Sequence, residues 1–168
     1  GVNPELEDWR VSWGQRVETP ELGDPFDNQK LATTTPLFDF ISSDPQNDDL
    51  EYEIELSTDQ SFSSGVISAN SNASSSDFTN LDNGGDTNPF TSGDRIAYQL
   101  PNSLALTDTE TYWWRVRAKD PNGSDAWSPW SDPDSFTVDT ATIVSTWFQT
   151  TREQFLEGEF DGAIASTS

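Results

Sequence analysis

The chain has 168 residues, 30 of them acidic against 8 basic, for a net charge of −22, and it contains no Cys, Met or His. Disulfides and any nucleophile–histidine mechanism are thereby excluded, metal ligation is confined to oxygen, and so negative a surface repels nucleic acid and anionic lipid. The apolar fraction is only 32%, but 7 Trp and 10 Phe carry much of it, and each aromatic can bury about 150–250 Å², enough for one cored domain with an appendage. Abundant Pro, Gly, Ser, Asn and Asp point to strands joined by turns. The excess charge fits either solubility alone or a salty or calcium-rich outside medium that screens self-repulsion. No run of about 18 apolar residues exists to span a membrane. A first residue that is Gly rather than Met is expected of a processed chain or of a piece of a longer one.

Near the N-terminus, Trp9, Val11 and Trp13 alternate with Arg10 and Ser12, the period of a strand. This strand could open the domain, close a preceding one, or pair with a neighbouring subunit. Residues 19–29 (TPELGDPFDNQ) read as linker or loop. Leu37–Ile41 (LFDFI) is a strand with Phe38 and Phe40 inward, and an acidic turn over residues 43–49 follows. Residues 50–56 (LEYEIEL) alternate most regularly, with Leu50, Tyr52, Ile54 and Leu56 inward and Glu51, Glu53 and Glu55 outward. That row of glutamates repels itself unless a neighbouring strand supplies cations.

Gly65–Ser68 reads as a short edge strand. Residues 70–88 read as a long loop anchored by Phe78 and Leu81. Phe90 and then Ile96, Tyr98 and Leu100 resume the inward row. The segment 112–118 (YWWRVRA) places Tyr112, Trp114, Val116 and Ala118 inward and Trp113, Arg115 and Arg117 outward. The turn Asp120-Pro-Asn-Gly123 leads through Trp127-Ser-Pro-Trp-Ser131 to a second strand at 135–139, with Phe136 and Val138 inward. Guanidinium planes stack on indole faces, so Trp113, Arg115, Arg117, Trp127 and Trp130 are expected to form an alternating ladder. Beyond it, residues 143–148 (IVSTWF) suggest another strand, and Thr151–Glu157 one or two helical turns.

These residues carry a resemblance. The segment 112–138 resembles the last two strands of a fibronectin type III domain, in the variant with a WSxWS box. Leu106 to Tyr112 (LTDTETY) resembles that family's tyrosine corner, which implies a bond from the Tyr112 hydroxyl to the chain upstream. The stretch 36–64 is similar to fibronectin-like repeats of prokaryotic surface, filament and phage structural proteins. Its turn at Asp44-Pro resembles their Asp-Pro-Asp-Gly-Asp turns but lacks the Gly. The implied fold is all-β, a two-sheet antiparallel sandwich over residues 32–140, with an N-terminal extension over 1–31 and a C-terminal extension or junction over 141–168.

Asp44, Asn47, Asp48 and Asp49 place four oxygen-bearing side chains close together, as calcium requires, and Asp82, Asn83 and Asp86 form a second group. The same residues also cap turns of their own, and neither stretch has EF-hand spacing. No other cofactor is expected. Trp113, Trp127, Trp130 and Trp147 could form a stacking platform for a glycan. The sequons at Asn72 and Asn122 offer glycosylation in a secreted chain. The expected function is a non-catalytic extracellular spacer or subunit of a surface filament, adhesin or virion, partnered with copies of itself or adjoining domains through residues 1–19 and 143–160. A carbohydrate-binding module is the alternative.

Overall fold

The computed structural model describes residues 16–141. These residues form two facing sheets. In the first, the strand order is β1 (Glu21–Leu22), β3 (Leu37–Ile41), β7 (Arg95–Gln99), β6 (Phe78–Asn80). In the second it is β2 (Gln29–Leu31), β9 (Asp134–Val138), β8 (Thr111–Lys119), β4 (Glu51–Ser57), β5 (Ile67–Asn70). The fold is an immunoglobulin-like β-sandwich.

Alternation dictates which side chains meet. On β3 and β7, Phe38 pairs with Tyr98 and Phe40 with Ile96. On β4 and β8, Ile54 pairs with Val116 and Leu56 with Trp114. Each of these residues is buried. Between the layers, Phe38 packs on Trp114 at 5.1 Å between ring centroids and edge-on to Phe136 at 5.6 Å, and Phe40 meets Tyr52 at 5.0 Å. A core with this many rings replaces the small aliphatics that the composition lacks. Its largest polar handle is satisfied, because Trp114 Nε1 donates to the Pro25 carbonyl at 3.0 Å.

The outline differs from expectation in three places. Residues 17–31, set apart by the sequence as extension and linker, belong to the sandwich: Val17 lies in the core and β1 and β2 join opposite sheets. Strands of two and three residues are too short to leave a periodic signal among Pro, Gly and Asp. The sandwich is also not wholly antiparallel, since β2 runs parallel to β9. Finally, the 70–88 stretch contains β6. Phe78 is buried there as an anchor, but Leu81 is 48% exposed and Asn80 is buried in its place. The expected strands at 9–13 and 143–148 and the turn at 151–157 lie outside the described residues.

Candidate functional site

The outer face of the five-stranded sheet holds the most organised group of polar side chains. On β4 the outward residues are Glu51, Glu53 and Glu55. In antiparallel register they stand opposite Lys119, Arg117 and Arg115 of β8. The row of like charges is thus met by a row of opposite charges, one per rung. Arg115 donates from Nε and Nη2 to Glu55 Oε2 at 3.0 and 2.7 Å, Arg117 Nε donates to Glu53 at 2.7 Å, and Lys119 Nζ lies 3.4 Å from Glu51 and 2.6 Å from Asp125. The hydrogen bond that Lys119 donates to Asp125, together with the charge of Glu51, raises the Lys119 pKa.

A second layer lies over these cations. β9 pairs with only the first half of β8, residues 111–114. Along the second half runs the Trp127–Ser131 segment, and its two serines do the pairing. The Ser128 N–H donates to the Ala118 carbonyl at 2.7 Å while its Oγ accepts the Ala118 N–H at 3.1 Å. Ser131 does the same for Val116, at 2.9 and 3.1 Å. Three residues of this segment therefore advance beside two of β8, and Trp127 and Trp130 fall over successive outward positions. Trp130 lies between Arg115 and Arg117, at 4.5 and 4.4 Å from ring centroid to guanidinium carbon. Trp127 lies between Arg117 at 4.7 Å and Lys119 at 5.3 Å.

The ladder has an end that the sequence did not suggest. Phe62 stacks on Arg115 at 4.1 Å, and its backbone φ is +55°, a strained value for an aromatic residue. Asp59 holds the turn by accepting the N–H groups of Ser61 and Ser63 and the hydroxyls of Ser61, Ser63 and Ser64. The hydroxyls of Ser63 and then Ser61 hold its carboxyl well below the ordinary range. A Ser-rich run after Asp59 was the available signal. Trp113, expected in the ladder, shares the outward face of β8 but stands opposite Ser57 and Ser135 and stacks on no cation of the described residues, so it is not part of the stack. Among the described residues the stacked order is Phe62, Arg115, Trp130, Arg117, Trp127, Lys119.

The remaining candidates are dispersed. The Thr107 N–H donates to Tyr112 Oη at 3.0 Å, and Leu106 is buried beside it. Asp44 Oδ1 accepts the N–H groups of Gln46 at 2.7 Å and Asp48 at 3.4 Å, and its own N–H donates to Ser92 Oγ. Asp44 Oδ2 is buried with no partner among the described residues, and Asn47, Asp48 and Asp49 are exposed. Asp82 accepts the Arg95 N–H, and Asp86 shares the Asn80 side-chain amide with Asp94. No group of three or more acidic side chains among the described residues is placed to hold a metal ion. Asn72 and Asn122 are exposed. A shallow cavity of about 170 Å³ is lined by Thr19, Glu21, Ile41, Ser42, Ser43 and Gly93, away from the stack.

Residues 26–141 match the family model described as the Rha78A-like, N-terminal immunoglobulin domain. The chain belongs to that family. No curated protein matches it. Among solved structures, this immunoglobulin domain is similar to the PKD domain of an M14-like peptidase from the archaeon Thermoplasmatales SCGC AB-540-F20, at 18% identity and a TM-score of 0.46, over 75% of this chain and 98% of that one. It is also similar to a family 76 glycoside hydrolase from a bovine Bacteroides thetaiotaomicron strain, at 16% identity and a TM-score of 0.37. That match covers 74% of this chain but only 20% of the hydrolase. As an immunoglobulin-like domain, the chain is a structural or interaction module.

Proposed function

We propose that this immunoglobulin domain is a non-catalytic structural spacer of a secreted or surface-exposed assembly, joined to further domains or to copies of itself through its terminal segments. The observation that carries this reading is that the domain's most organised polar site is satisfied within itself: each outward cation of β8 meets a carboxylate of β4 and at least one ring. A group held in that way braces a module. The description of the family as N-terminal supports placement ahead of another domain. Trp9 and Trp13 on one side, and Trp147, Phe148 and Phe155 on the other, supply apolar contacts for joining neighbours.

The same stack weighs against a glycan platform, because Trp127 and Trp130 each lie between two cations. The test is light scattering and electron microscopy of the native chain across a concentration series, beside a Trp13→Ser/Trp147→Ser double variant. Self-association or fibres that the double variant loses are expected if the chain joins copies of itself. Glycan binding abolished by Trp130→Ala would overturn the spacer reading in favour of a carbohydrate-binding module.

A further inference from the structure

Two Asn–Gly pairs occur in the chain, Asn83–Gly84 and Asn122–Gly123, and all four residues are exposed. In this dipeptide the glycine nitrogen can attack the asparagine side-chain carbonyl, because no β-carbon hinders the approach. We propose that Asn83 is a site of spontaneous deamidation, a chemical mark the domain acquires with age, and that the fold protects Asn122 from the same reaction.

The local surroundings of the two pairs are opposite. At Gly84 an added β-carbon would meet nothing within 4 Å, and the Gly84 N–H has no hydrogen bond to a described residue. The Asn83 side chain folds back over this backbone, with Oδ1 3.4 Å from the Gly85 nitrogen. That N–H points at the oxygen on which negative charge develops as the carbonyl is attacked, the placement that stabilises an oxyanion. The Asn122 turn is clamped instead. The N–H groups of Asn122 and Gly123 both donate to Asp120 Oδ1 at 2.8 Å, Asp120 is 3% exposed, and its Oδ2 would lie 1.8 Å from a β-carbon at Gly123. For the Gly123 nitrogen to attack, it must abandon a charge-assisted bond and leave a buried carboxylate short of a donor.

The reaction balances with water alone. The Gly84 amide nitrogen loses its proton to solvent base and forms a bond to Asn83 Cγ. The C–N bond of the side-chain amide breaks and ammonia leaves. Water then opens the resulting five-membered imide at either carbonyl, giving aspartate or isoaspartate. The product adds one negative charge between Asp82 and Asp86, in the loop that Asn80 Oδ1 anchors by accepting the N–H groups of residues 82 and 83.

The test is prolonged incubation of the full chain in mildly alkaline heavy-oxygen water, followed by peptide mapping for incorporated label at each site. Folded protein should deamidate at Asn83 faster than at Asn122 by about tenfold or more, the rate equivalent of one charge-assisted bond. In denaturant the two rates should converge. Gly84 has no positive φ and has room for a methyl group, so Gly84→Ala should keep the fold and suppress labelling at Asn83. Equal rates at the two sites in the folded chain, or an undiminished rate in G84A, would overturn the proposal.

Discussion

At the scale of single residues, two aromatic positions show how strain and stacking trade against each other. Phe62 occupies a left-handed backbone position, which costs an ordinary residue roughly 1–2 kcal/mol, and in exchange places its ring on Arg115, a contact of about 0.5–1 kcal/mol. Phe62→Ala should therefore destabilise the domain by about 1 kcal/mol, because it keeps the strain and loses the ring. Phe62→Gly should be closer to neutral, because it gives up both. Urea unfolding of the two variants side by side reads the difference. Trp130→Ala removes a ring held between two guanidinium groups together with its buried area, and should cost about 1–3 kcal/mol. Tyr52 is a contrasting case. Its hydroxyl is buried beside the Ser42 backbone without a hydrogen bond of normal geometry, so Tyr52→Phe should change stability at neutral pH by no more than about 1 kcal/mol in either direction.

At the scale of elements, β8 is completed by two different partners, a strand for its first half and a pair of serines for its second. Replacing Ser131 with Ala leaves the Val116 N–H buried without its acceptor, a loss of about 1–3 kcal/mol, whereas Ser131→Thr keeps the oxygen and should recover most of it. Thermal melts of the two variants check this. Such a segment explains what could be read in advance. The inward rows of β3, β4, β7, β8 and β9 were visible as period-2 alternation, since each strand has one dry and one wet face, and the stacking of Trp127 and Trp130 on Arg115 and Arg117 followed from the residue types. The role of Phe62 was not legible because a side chain presented by a strained turn carries no periodicity. Lys119 was not legible as the far end of the stack because its partners converge from two separate stretches, Glu51 on β4 and Asp125 with Trp127 after the turn. β1, β2 and β6 were missed because two or three residues held by cross-sheet partners need no propensity of their own.

At the scale of the whole molecule, charge dominates. Lys30, Arg95, Arg115, Arg117 and Lys119 each contact a carboxylate, which leaves the rest of the acidic excess uncompensated. Raising the salt from about 0.1 M to about 1 M shortens the screening length from ~10 to ~3 Å, so the melting temperature should rise with sodium chloride; a fall would mean that the ion pairs outweigh the repulsion. The pH limits follow from the shifted groups. Hydrogen bonds hold Asp27, Asp59 and Asp108 below the ordinary carboxylate range. Their contribution is present above the unfolded value of about 4 and disappears as pH falls through their lower folded values. Asp134, raised by burial and by Asp27, acts in the opposite sense. On the alkaline side, burial pushes Tyr98 up to about 12 and Tyr52 up as well. Their contribution is intact below the unfolded value of about 10 and is lost as pH rises through the folded values. Circular dichroism across pH should therefore show a broad plateau with unfolding at both extremes.

The serine pairing beside β8 has one more consequence. A β-strand with open amide and carbonyl groups is a template on which another polypeptide can grow. Along this stretch the template is already occupied by hydroxyls and turned backbone, under a lid of indole rings. No second polypeptide can therefore extend the ladder beside residues 116–118, and any such growth is left to the outer strands β1, β2, β5 and β6.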